Sequence, residues 1–191
     1  MKKNQILNIG IFAALTINLI SAHAGEARAT VTVTATVISS CSIETENINF
    51  GTYEPNKPEA KAATGAINLT CVKGSAPVVS IGAGSNFDGS NRRAVYTSID
   101  TNGQNQNEYL TYGLYQPVSN LADAACPASV SSAKTWSSTI DANDPNNSTV
   151  FTPTVAPSND SRRYKICGIM NGNQNVGPGT YTDTVFVTAS F

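Results

Sequence analysis

The chain has 191 residues, only 13% of them charged, and its 12 basic and 13 acidic residues give a formal net charge of −1. That balance excludes the basic surface on which a nucleic-acid binder depends, and the length suits one domain with a real core. The single histidine, His23, sits so near the N-terminus that it belongs with a leader segment.

Residues 1–24 read as an export signal. Lys2 and Lys3 form a basic start, Ile6 to Ile20 is an interrupted apolar run, and Ala22-His23-Ala24 is a small-x-small cleavage site. The run is too short and broken for a membrane span, so cleavage is expected after Ala24. Cleavage leaves 191 less 24, or 167, residues, with 10 basic against 13 acidic and a formal charge of −3. It also removes the only histidine, and with it Ser-His-Asp, Cys-His and histidine-ligated zinc chemistry.

Arg28 to Cys41 follows, with Val31, Val33, Ala35 and Val37 alternating with Thr30, Thr32, Thr34 and Thr36. Strict period-two patterning in β-branched residues predicts a strand with one buried face. Whether that face fills its own core or another is open at this point. NINFG, ending at Gly51, is a second short alternation, and Pro55 and Pro58 mark a loop. Strands are then expected at Gly65–Cys71, Pro77–Ile81 and Ala94–Ile99. Thr101–Asn107 is a polar hairpin connection containing Asn-Gly. Tyr109–Tyr115 places Leu110, Tyr112 and Leu114 on one face, for packing rather than as a ligand-stacking platform. Gln116–Asn147 has no clear period; strand character resumes at Thr149–Val155 and Tyr164–Met170. The chain ends on Thr180–Phe191, where Tyr181, Val185, Val187, Ala189 and Phe191 share a face that Asp183 interrupts. Many short strands between Gly, Asn and Pro turns predict an all-β sandwich with no helix after the leader.

Cys41, Cys71, Cys126 and Cys167 are widely spaced, with no CxxC pair, in an exported chain. Disulfides are expected rather than metal ligation. Three connectivities are open, and the sequential one, Cys41–Cys71 with Cys126–Cys167, is favoured. Other chemistry is weakly signalled. Ser131-x-x-Lys134 lacks the companion motifs of penicillin-interacting enzymes. Asp141, Asn143 and Asp144 lack the glycine and terminal glutamate of a calcium loop. Arg92-Arg93 and Arg162-Arg163 read as charge that protects a solvated sheet edge, in preference to a polyanion site. No spacing among the carboxylates promotes a glycosidase pair, so no enzyme, metal or cofactor is expected.

The chain resembles the spore coat U-type domain family, whose characterised members include subunits of archaic (Csu-type) chaperone–usher pili. The strand into Cys41, Asn49–Gly51, Ile67–Cys71, Tyr112–Tyr115 and Gly179–Phe191 carry the resemblance in family order. The last, G-x-Y-x-D-T-x-x-V-T-x-x-F, is the most specific. The resemblance implies an immunoglobulin-like β-sandwich lacking its last strand, whose groove is filled first by a periplasmic pilus chaperone. At the outer-membrane usher the N-terminal strand of a neighbouring pilus subunit then replaces it, by β-strand addition. It implies a donor extension over 25–40 with Val31, Val33, Ala35 and Val37 as the donor face. The pilin domain would be 41–191, with Val185, Val187, Ala189 and Phe191 on one groove wall. The expected role is a structural subunit of a surface fimbria, in adhesion or biofilm formation. The long Gln116–Asp160 region and the second cysteine pair depart from the simplest pattern and leave open a shaft or a minor or adaptor subunit. The rival is a self-complete secreted sandwich binding a carbohydrate or surface ligand; a carboxylate hydrolase is remoter.

Overall fold

The structure is a computed structural model and describes residues 25–99, 105–137 and 149–191. The chain divides after Thr36 into two units, and of the first only residues 25–36 are described. In the first, residues 25–36 form no strand and expose every side chain. Val37–Ser40 of the second unit are likewise outside any strand and exposed. The period-two segment therefore differs from the expected strand until Cys41. Alternation supplies a face, but a strand also needs a neighbour for its N–H and C=O groups.

The second unit is built from antiparallel strands. The larger sheet has the order β1 (Cys41–Glu46), β2 (Lys61–Cys71), β6 (Arg162–Met170), β5 (Asn105–Tyr115), β4 (Arg92–Ile99). The smaller pairs β3 (Val78–Ile81) with β7 (Val187–Ser190). Alternation explains the inward faces. β2 turns Ile67, Leu69 and Cys71 inward, β6 turns Tyr164, Ile166 and Met170, and β5 turns Leu110 and Leu114. Val79 and Ile81 of β3 meet the larger sheet in one core, joined by Trp136 and Phe151. Two antiparallel sheets facing across a shared core make the all-β sandwich that the pattern predicted, of the immunoglobulin-like kind that the resemblance implies.

Trp136 is fully buried; its indole N–H donates to Val79 O at 3.0 Å, and its ring lies 4.8 Å from that of Phe151. The unreadable region thus supplies core, and Gln116 pins it. The buried Gln116 amide donates to the carbonyls of Thr135 (3.0 Å), Thr149 (3.0 Å) and Val150 (3.3 Å). Disulfides join Cys41 to Cys71, which are register partners in β1 and β2, and Cys126 to Cys167.

Four expectations need correction. Asn47–Gly51 is not a strand, since β1 stops at Glu46. Thr149–Val155 contributes only a single bridge, Phe151 to Val79, because Pro153 within it cannot donate to a ladder. A short 3-10 turn, Val130–Ser132, takes in Ser131 of the Ser-x-x-Lys pattern, all of it on the surface. Only one arginine pair lies on an edge strand, Arg92-Arg93 on β4, and it does not stand there as solvated charge. Arg92 is only 8% exposed and donates to Ile81 O, Gly82 O and Trp136 O, while Arg162 and Arg163 lie on β6 in the middle of its sheet. Asp141, Asn143, Asp144 and most of the hairpin connection at 101–107 lie outside the described residues.

Candidate functional site

The C-terminal segment changes sheets. Thr182 makes a bridge with Val95 of β4, whereas Val187–Ser190 pairs with β3. Along it the burial alternates from Tyr181 to Ala189, with odd-numbered residues turned inward. β7 has one partner strand among the described residues, so its other edge offers unpaired backbone groups. Val187 at the start of β7 also lines a cleft of about 1000 Å3.

One side of the cleft is Val185 and Val187, and opposite runs Thr45–Tyr53, the continuation of β1. Its floor is the inward face of the larger sheet: Leu110, Tyr112, Leu114, Ile166 and Met170. Two glycines shape that floor. A Cβ on Gly65 would stand 2.5 Å from Ile48 Cγ1, and one on Gly168 would stand 2.8 Å from the Phe50 ring. Bare backbone at these inward positions is what lets Ile48 and Phe50 lie against the sheet instead of continuing β1.

Of the expected groove residues, Val185 and Val187 line the cleft. Ala189 is half-buried against the main core, and Phe191, 56% exposed, lies beyond β7. Of the expected donor residues, Val31, Val33 and Val37 are 84%, 88% and 78% exposed, and Ala35 is exposed too. Large apolar side chains at a regular spacing and in water are the uncommon observation.

Sequence reasoning missed the polar end of the cleft. Asp183 faces inward there, accepting from Tyr112 OH at 2.6 Å and from Ser85 N–H and Asn86 Nδ2 at 3.0 Å each. Burial, and then the hydrogen bond to Asp183, push the Tyr112 hydroxyl well above the usual tyrosine value. Tyr181 donates to Glu108 Oε2 at 3.0 Å, and burial first and Glu108 second push it up to about 12. At the opposite lip, Glu46 of β1 accepts from Arg163 Nη2 at 2.7 Å and Asn68 at 3.3 Å. The Arg163 bond chiefly holds the Glu46 carboxyl down at about 2. The signal for Asp183 was its place in an otherwise alternating face. A long cleft with an apolar floor, polar groups along its sides and one wall ending in an unpaired strand suits an added β-strand better than a small polar ligand.

The family model for the Spore Coat Protein U domain matches residues 27–188, and the chain belongs to that family. Among solved structures it is similar to the CsuC–CsuE chaperone–tip adhesion subunit pre-assembly complex from the archaic chaperone–usher Csu pili of Acinetobacter baumannii. The identity is 22% and the TM-score 0.48, over 82% of this chain and 41% of that one. The chain thus spans well under half the length of that relative. No curated protein matches the sequence.

Proposed function

We propose that this chain is a structural subunit of a bacterial surface pilus, polymerised by donor-strand exchange through a periplasmic chaperone and an outer-membrane usher. Val31, Val33, Ala35 and Val37 form the donor face, and Val185, Val187, Ala189 and Phe191 belong to the receiving wall. Residues 1–24 are the cleaved export signal, and the subunit works at the cell surface, in adhesion or biofilm formation, without catalysis. The observation that carries this reading is the unpaired edge of β7, whose Val187 lines a cleft with an apolar floor. The exposed, unpaired valine segment at the other end of the chain supplies a strand of the matching kind.

Burying three valines contributes roughly 1.5–3 kcal/mol each, and each new ladder bond roughly 1 kcal/mol net. Those sums are comparable with the stability of a whole domain, about 5–15 kcal/mol. An unfilled subunit is therefore expected to be a poor monomer. Size-exclusion chromatography of protein exported without any partner tests this. Strand-swapped oligomers or failure to accumulate are expected; a stable monomer supports a self-complete binding module instead.

A further inference from the structure

The carboxylate of Asp183 stands where the C-terminal segment passes from one sheet to the other. Before it, Thr182 exchanges backbone hydrogen bonds with Val95 of the larger sheet at 2.9 and 3.0 Å. After it, Thr184 O and Phe186 O accept from Ser85 N–H (3.0 Å) and Gly82 N–H (2.8 Å), in the turn that follows β3. Asp183 itself ties the two together, taking Tyr112 OH from β5 on one oxygen and Ser85 N–H and Asn86 Nδ2 from the turn on the other. The turn is shaped to meet it. Gly84 has φ +96°, and a Cβ there would run into the Asp183 carboxylate. The buried Arg92 guanidinium fixes the base of the same turn through Ile81 O and Gly82 O.

A carboxylate turned inward from a cleft wall costs desolvation, yet here it is met by three donors. Two residues on, Val185 and then Val187 turn their side chains into the cleft. We infer that Asp183 is a positioning residue that, with Tyr112 and the Gly84–Asn86 turn, holds the open wall of the cleft in its receiving geometry before a strand arrives. The inference rests on the strand-exchange reading. A wall with one edge unpaired lacks the ladder bonds that would otherwise fix it, and the latch supplies three from the side. Its effect is on how much of the subunit is competent to receive a strand, since apparent affinity scales with that fraction.

The test is binding kinetics of a labelled synthetic peptide with the sequence of residues 28–38 to the full mature chain, diluted from denaturant straight into the peptide so that the cleft is met before chains can swap strands or aggregate. Asp183→Asn and Tyr112→Phe are each expected to slow association about tenfold, a competent fraction of about one in ten. Dissociation should stay within about twofold, because the bound strand then holds the wall itself. The double variant should lose no more than the worse single one, as the two act through one hydrogen bond. If Asp183→Asn fails to accumulate, Tyr112→Phe, which keeps the ring, decides alone. Unchanged association, or a loss that falls on dissociation, overturns the latch while leaving strand exchange intact. A native chain that takes no peptide overturns both.

Discussion

The Tyr112 hydroxyl donates to Asp183 Oδ2 at 2.6 Å, joining the floor of the cleft to its wall. The bond has a pH signature. Tyr112 is raised in the fold, chiefly by burial, and Tyr181 is raised to about 12. Groups raised above their unfolded value of 10.0 contribute stability that is whole below pH 10 and lost as the pH rises through the folded value. Melting temperature is therefore expected to fall from pH 10 towards about 12, and Tyr112→Phe should flatten that fall. A profile flat across the window in the native chain contradicts it.

Glu46 gives the opposite sign. Its carboxyl is held at about 2 against 4.5 unfolded, mainly by Arg163. Its contribution is present above pH 4.5 and lost as the pH falls towards 2. Both partners reach solvent, so the effect is small and screened by salt. Thermal melts of Glu46→Gln between those limits should show a shallower pH dependence than the native chain; identical slopes would remove Glu46 from the account.

The faces of the C-terminal strand are tested by a pair of charges. Val187 is half-buried and lines the cleft, whereas Thr188 is exposed. Val187→Asp places an unpaired charge against apolar neighbours at a cost of roughly 2 kcal/mol or more. The variant should be degraded in the periplasm, while Thr188→Asp accumulates. Equal accumulation of the two, followed by immunoblot, would show the faces to be misassigned.

The disulfides close separations of 30 and 41 residues. In the chain-entropy model each is worth roughly 3–4 kcal/mol. Non-reducing peptide mapping should return Cys41–Cys71 and Cys126–Cys167, and replacing Cys126 and Cys167 together with Ala should lower the denaturation midpoint accordingly. A Cys41–Cys167 peptide would sink the pairing.

Strands flanked by turn residues were legible because a half-buried strand writes its face at every second residue. β2, β5 and β6 carry that pattern in Ile67 and Leu69, Leu110 and Leu114, and Tyr164 and Ile166. What stayed hidden depends on partners far along the chain. Ile48 and Phe50 alternate like a strand, but glycines at 65 and 168 draw them onto the sheet. Arg92 looks like edge charge, yet three backbone carbonyls satisfy it in the interior. Asp183 reads as an interruption, because its donors come from Ser85, Asn86 and Tyr112, some 70 to 100 positions away. Of the cleft, Val185 and Val187 could be read from alternation; its opposite lip could not.

The most direct measurement deletes Thr30 to Val37 and follows two quantities, the yield of chaperone-bound subunit and the count of surface fibres. This segment is exposed and unpaired in its own chain. The account predicts a normal yield of the complex with no fibres, because the receiving cleft is intact and only the donated strand is gone. Loss of the complex itself would contradict the account, showing that the segment serves the fold of its own chain.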